Sequence, residues 1–249
     1  MSAPEAPWQV ARERLRRTLA PAGFDLIEGC SVGAYNEAVE GALRLEDWGS
    51  PAHVAFVVGN TRALWPVFLR ALRRDRTLRA ASDPLDRYTE REIAAAVESL
   101  GVRAAVRWAH DTGPRLVAIQ RLAHVAGLAY LAQSHLSVHP TFGAWIALRA
   151  AITLELPGPA RGPAWGEPPC SDCARRCAPA FEQARARAVG ASDHRPWLAC
   201  REACPRGREH RYSDEQIEYH YGRDRARLLA LVERDDGPAL ETRVRREQD

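Results

Sequence analysis

The chain has 249 residues, enough for one large domain or a domain with an appendage, and 46% apolar residues, an ordinary content for a packed core. A formal charge of +3 gives no argument for a nucleic-acid partner, and no run of roughly 18 uncharged apolar residues offers a membrane span. Lysine is absent, so all 35 basic residues are arginine, which excludes a Schiff-base lysine mechanism.

The N-terminal stretch MSAPEAPWQVARERLRR lacks the apolar segment of a signal peptide, and a cytoplasmic location is the expectation. Trp8, Ala11, Leu15 and Leu19 recur at helical spacing, and Pro21-Ala22-Gly23 stops that helix. Phe24 to Asn36 reads as a strand followed by a glycine-containing loop, whose Tyr35-Asn36 pair is a candidate for facing a ligand. Cys30 stands apart from the other cysteines and reads as a small core residue. His53 to Gly59 is a continuous apolar run, fit for a central strand covered on both faces. Asn60-Thr61 can cap the next helix, which Leu64, Phe68 and Leu72 mark to about Arg76. Asp83-Pro84-Leu85-Asp86 turns into a second helix with Ile93, Ala96, Val97 and Leu100 as its buried stripe, ended by Gly101. Val102 to Trp108 alternates as a strand does.

Gln120 to Leu156 is the longest apolar region. It begins as a long helix carrying His124 among small and branched apolar residues. A buried imidazole needs a hydrogen-bond partner or a metal, and a satisfied core histidine is the commoner outcome. His139-Pro140-Thr141-Phe142-Gly143-Ala144-Trp145 breaks the run, and Ile146 to Leu156 comes next as a strand with one charge, Arg149, in its first half. Such a guanidinium sits at a pocket or a sheet end. This element order predicts an α+β or α/β layered domain.

Between Leu156 and Cys170, five prolines and three glycines predict a linker or covering loop. Five of the six cysteines lie beyond it: Cys170-x2-Cys173-x3-Cys177, then Cys200-x3-Cys204-Pro205. In a cytosolic chain such clustering points to metal or redox chemistry. Two Cys-x3-Cys steps, the second followed by proline, match parts of ferredoxin runs, so one [4Fe–4S] cluster ranks first, zinc second and free thiols third. Beyond the module, Ser213 and Gln216 form a capping box for one amphipathic helix through Ile217, Tyr221, Leu228, Leu229 and Val232. A charged tail, 236–249, ends the chain.

Several stretches together resemble the cobalamin-processing family typified by MMACHC, also called CblC, the cyanocobalamin reductase and alkylcobalamin dealkylase. They are LAPAGFDLIEGCSVGAYNEAV, the Asp83–Asp86 turn, AHVAGLAY around His124, HPTFGAWIALRAAITL from His139, and RYSDEQIEY from Arg211. They fall in the family's order over nearly the whole chain except the cysteine module. The resemblance implies a nitroreductase-like layered α/β domain over 1–156 and 212–235, with a Cys-rich insert at 157–211. It implies His124 at the corrinoid site, with Tyr35, Asn36, His139, Phe142, Gly143 and Trp145 helping to line the cavity. It places Arg149, and with it Arg211, beside a thiol cosubstrate.

The animal proteins lack the cysteine module, which resembles instead that of epoxyqueuosine reductase. Cys170, Cys173, Cys177, Cys200 and Cys204 are its candidate metal ligands. Three readings stay open: reductive removal of the upper ligand of cobalamin, a cobalamin- and iron–sulfur-dependent reductase of another substrate, and a zinc-stabilised binding protein without catalysis. The electron donor is left among a thiol, a flavin (FMN or FAD), a ferredoxin and a cluster on the module's own cysteines. The corrinoid readings require a hollow between the His124 helix and the Arg149 strand wide enough for a tetrapyrrole-sized ring.

Overall fold

A computed structural model describes residues 5–159, 162, 165–171, 173–187 and 193–234. The predicted tail at 236–249 lies outside the described residues.

The amphipathic N-terminal helix α1 (Pro7–Leu19) tightens into a 3-10 turn, Ala20–Ala22, which ends at Gly23, whose φ of 92° is a left-handed value that glycine adopts without a Cβ clash. β1 (Leu26–Ser31) leads into α2 (Val32–Glu37), not into the expected loop. The Ser31 hydroxyl, accepting from Ala34 N at 3.3 Å, caps this short helix. β2 (His53–Asn60) precedes α3 (Leu64–Arg74), α4 (Arg76–Ala80) and α5 (Pro84–Glu98). Then come β3 (Ala104–Trp108), α6 (Ile119–Val125), the short pair β4 (Tyr130–Leu131) and β5 (Ser137–Val138), and β6 (Ala147–Pro157). The cysteine module folds as α7 (Ala174–Arg187) and α8 (Arg195–Glu202), followed by α9 (Asp214–Gly222) and α10 (Arg225–Arg234).

Four strands make one antiparallel sheet in the order β1-β2-β6-β3. The two-residue period of a strand then sorts side chains between two cores. Val54, Phe56 and Val58 of β2, with Ala150, Ile152 and Leu154 of β6, meet α1, α3, α5 and α10 on one face. Ala55, Val57 and Ala151 meet α2 and α6 on the other. The central strands are thus covered on both sides, as the apolar run His53–Gly59 required.

Two further expectations are corrected. The His124 helix is seven residues long, because Ala126 is its C-cap and Gly127 turns the chain with φ 75°. The single C-terminal helix is two, broken at Arg223, which holds φ 52° while its guanidinium donates to Asp83 at 3.2 Å and Asp86 at 2.8 Å. Neither residue of the Asn60-Thr61 pair caps α3, whose N-cap is Ala63; the Thr61 hydroxyl accepts from the Ala63 N–H at 3.2 Å, just ahead of the helix.

Candidate functional site

A cavity of about 300 Å³ opens between α6 and β6, at the expected place but smaller than a tetrapyrrole-sized ring needs. Ile119 and Gln120 of α6, Leu136 and Ser137 at β5, Ala144, Ile146 and Leu148, and Arg201 and Tyr221 form its wall. The volume lies at the lower end of the roughly 300–1,000 Å³ of drug-sized ligand sites.

His124 lies one helical turn beyond Gln120 on the same face of α6. Its Nδ1 accepts from Leu131 N at 3.1 Å, so the neutral ring carries its proton on Nε2. Burial, and then Arg121, push its pKa below the ordinary value, so the ring is uncharged at neutral pH. Tyr130 meets the ring edge-on at 5.2 Å, and Trp165 stacks on it at 5.6 Å.

Arg149 owes its direction to a β-bulge. Val58 pairs with Ala150 and Gly59 with Leu148, leaving Arg149 as the extra residue of β6. Its Nε donates to Asn60 Oδ1 at 2.7 Å, and its Nη2 lies 3.0 Å from His220 Nε2. His220 Nδ1 in turn donates to Gln216 O at 2.9 Å. The Nε2 lone pair is therefore free to accept from Arg149, and a proton there would face a guanidinium. Burial first, and then Arg149, drive the His220 pKa down to about 3. Among the described residues no carboxylate pairs with Arg149 at ion-pair distance.

The guanidinium on the cavity wall is Arg201, from the cysteine module. It donates to Ala144 O at 2.7 Å and Ile146 O at 2.6 Å, and lies over the rings of Trp145 and Tyr212 at 4.9 and 4.8 Å. Sequence reasoning missed Arg201, Gln120, Tyr221 and His220. One signal was present for Arg201: an arginine between Cys200 and Cys204, in a segment that must dock on the domain.

The other named residues are placed as follows. Tyr35 is fully buried, donating from its hydroxyl to Leu43 O at 3.0 Å and accepting from Ala118 N at 3.1 Å. It holds the start of α6. The Asn36 amide is committed to Leu45, both donating and accepting. His139 Nδ1 accepts from Thr141 N and Phe142 N, and the turn closes through two His139–Gly143 backbone bonds. Phe142 lies between His139 and His210, 4.8 Å from each. Gly143, at φ 56°, leaves room for the Arg206 carbonyl. Trp145 is 1% exposed and stands directly beside the cavity residues Ala144 and Ile146.

Arg211 lines a second cavity of about 490 Å³, with Arg62, Ala63, Trp65, Pro66, Ser213 and Gln216. Gln216 Nε2 is buried there without a hydrogen-bond partner. Glu202 and Asp214 hold the Arg211 guanidinium at 3.0 and 2.7 Å.

All five module cysteines carry free thiols; Cys177, Cys200 and Cys204 are buried. Burial, then the nearby Cys204, Cys177 and Cys173 sulfurs, push Cys170 up to about 11. Burial and then Cys177 do the same for Cys200. The thiols therefore feel one another's charge, yet among the described residues no three His, Cys, Asp or Glu side chains are disposed about a common metal position. No described helix is long and apolar enough to cross a membrane.

No family model matches the chain. The human cyanocobalamin reductase / alkylcobalamin dealkylase is 29% identical over 245 residues, covering 89% of this chain and 80% of the human protein. The Bos taurus protein of the same name is 28% identical over 162 residues, 57% of this chain and 56% of its own. This chain is a homologue of those proteins. Its fold agrees: a C. elegans B12-trafficking protein, CblC, superposes with a TM-score of 0.70 at 17% identity, over 89% of this chain and 95% of the other. An epoxyqueuosine reductase superposes at 0.50 with 14% identity, over 83% and 68%. The chain therefore has the nitroreductase-like layered fold that the resemblance implied.

Proposed function

We propose that this CblC homologue binds cobalamin between α6 and β6 and removes its upper axial ligand by reduction. The observation that carries the reading is the match, over 89% of the chain, to the human cyanocobalamin reductase / alkylcobalamin dealkylase; the cavity between Gln120 and Leu148 marks where the ring would enter once the site widens. The neutral His124 ring has its Nδ1 lone pair engaged and its Nε2 protonated, so it offers a donor to the corrinoid and no ligand to cobalt. Cobalamin held without its lower base accepts an electron at a higher potential. One electron delivered to cyanocobalamin then gives cob(II)alamin and releases cyanide. With an alkylcobalamin, a thiolate attacks the alkyl carbon, forming a thioether and cob(I)alamin.

The thiol cosubstrate fits the second cavity. Arg62 at its edge suits a carboxylate, the unpartnered Gln216 Nε2 suits a carbonyl oxygen, and Arg211 would join only by exchanging Glu202 or Asp214 for the cosubstrate. Arg149 stands one residue layer behind, through His220 and Gln216, and favours negative charge on the thiol. A reduced flavin is the alternative one-electron donor.

The Cys-x2-Cys-x3-Cys and Cys-x3-Cys-Pro spacings of the module suit one [4Fe–4S] cluster on four of Cys170, Cys173, Cys177, Cys200 and Cys204, whose side chains would have to draw together from their described positions to hold it. Such a cluster supplies single electrons, and zinc on the same sulfurs would supply structure only.

The test is anaerobic. Protein incubated with cyanocobalamin and a reduced thiol or flavin is expected to yield cob(II)alamin and free cyanide in equal amounts, and protein with neither product contradicts the reading. Iron and acid-labile sulfide in the purified protein support the cluster; zinc without sulfide replaces it.

A further inference from the structure

The cavity beside Gln120 is too small for a tetrapyrrole-sized ring, and next to it on α6 stands the stack on His124. The indole of Trp165 lies over the imidazole with 20° between the planes, and its Nε1 donates to the His124 carbonyl at 2.9 Å. Tyr130 closes the group edge-on to the indole at 5.6 Å. Gly162 fits against the Val125 carbonyl, where an added Cβ would sit 2.0 Å from the oxygen. Gly162 and Trp165 thus both lie against α6, and Trp165 presents one flat aromatic ring to the histidine. Trp165 belongs to none of the four apolar clusters among the described residues, and it is only half-buried. Its ring meets only the His124 stack and the edge-on Tyr130 among the described aromatic contacts, and its one hydrogen bond goes to the backbone of the residue it covers.

We infer that Trp165 is a plug on the His124 face of the corrinoid site, displaced when the corrinoid enters. This rests on the cobalamin reading above. An indole on an imidazole has the shape of the contact that a corrin face would make, and both cannot occupy it. The binding-competent state is the one with Trp165 off His124, so the apparent affinity is reduced by the fraction of molecules in that state. Closed, the plug keeps water from the neutral histidine.

Rapid mixing of cyanocobalamin with wild type, Trp165→Ala and Trp165→Phe, followed by the corrinoid absorbance, tests this. Trp165→Ala is expected to bind about tenfold faster and more tightly. Trp165→Phe, which keeps a ring but loses the Nε1 donor, is expected to fall between it and wild type. Circular dichroism establishes that each variant is folded. Unchanged or weaker binding by folded Trp165→Ala, with wild type binding normally, overturns the plug alone. No binding by any of the three proteins overturns the cobalamin reading and the plug with it.

Discussion

His220 is neutral at neutral pH, with its one proton on Nδ1 held by the Gln216 carbonyl, because burial and then the Arg149 guanidinium disfavour a second proton on Nε2. Its folded pKa of about 3 lies below the ordinary 6.5. The unfolded chain therefore binds a proton between those values that the folded chain refuses, and this contribution to stability is present above pH 6.5 and lost as pH falls toward 3. Urea melts of wild type and His220→Gln at pH 7 and pH 5 check the sign. Wild type is expected to lose up to about 2 kcal/mol more than the variant over that interval; equal losses would contradict it. The sequence pointed to Arg149 as a lone charge in an apolar strand, but not to this partner. Asn60 and His220 lie 89 and 71 residues away from it, and the bulge that aims Arg149 at them arises from pairing between strands.

Elements with one strong periodicity were legible from residues alone. Leu64, Phe68 and Leu72 gave α3, and His53–Gly59 gave a two-faced central strand, because burial there is set by local spacing. Breaks were less legible. Arg223 ends α9 in a left-handed conformation that arginine rarely adopts, held there by the pair Asp83 and Asp86, 140 and 137 residues away. The turn at His139–Gly143 was legible as a break but not as an interface. It packs on Arg206 and Gly207 at the exit from the cysteine module, and a Cβ on Gly143 would come within 1.9 Å of the Arg206 carbonyl. Gly143→Ala is therefore expected to destabilise the protein by about 2 kcal/mol or more, through both the left-handed φ and the clash. A thermal melt reads this, and an unchanged midpoint would show that the module does not bear on the turn.

At the scale of the whole molecule, the cysteine module is fastened to the site it adjoins. Arg201 reaches from between Cys200 and Cys204 to the carbonyls of Ala144 and Ile146, and so forms part of the cavity wall. The expected insert is thus a structural part of the candidate site. Its spacing showed that sulfurs would gather; which surface it docks on depends on contacts across more than fifty residues, such as Arg201 with Ala144 and Ile146. The hollow was foreseeable only through the resemblance, because an empty volume has no residue of its own. The measurement that bears most directly on it is a calorimetric titration of cyanocobalamin into wild type and His124→Ala, with the corrinoid spectrum recorded at each addition. The expected result is one site per chain, a shift to the spectrum of cobalamin without its lower base, and at least about tenfold weaker binding by the variant, about 1.4 kcal/mol. Equal affinity in the two proteins, with the lower base still attached, would contradict it.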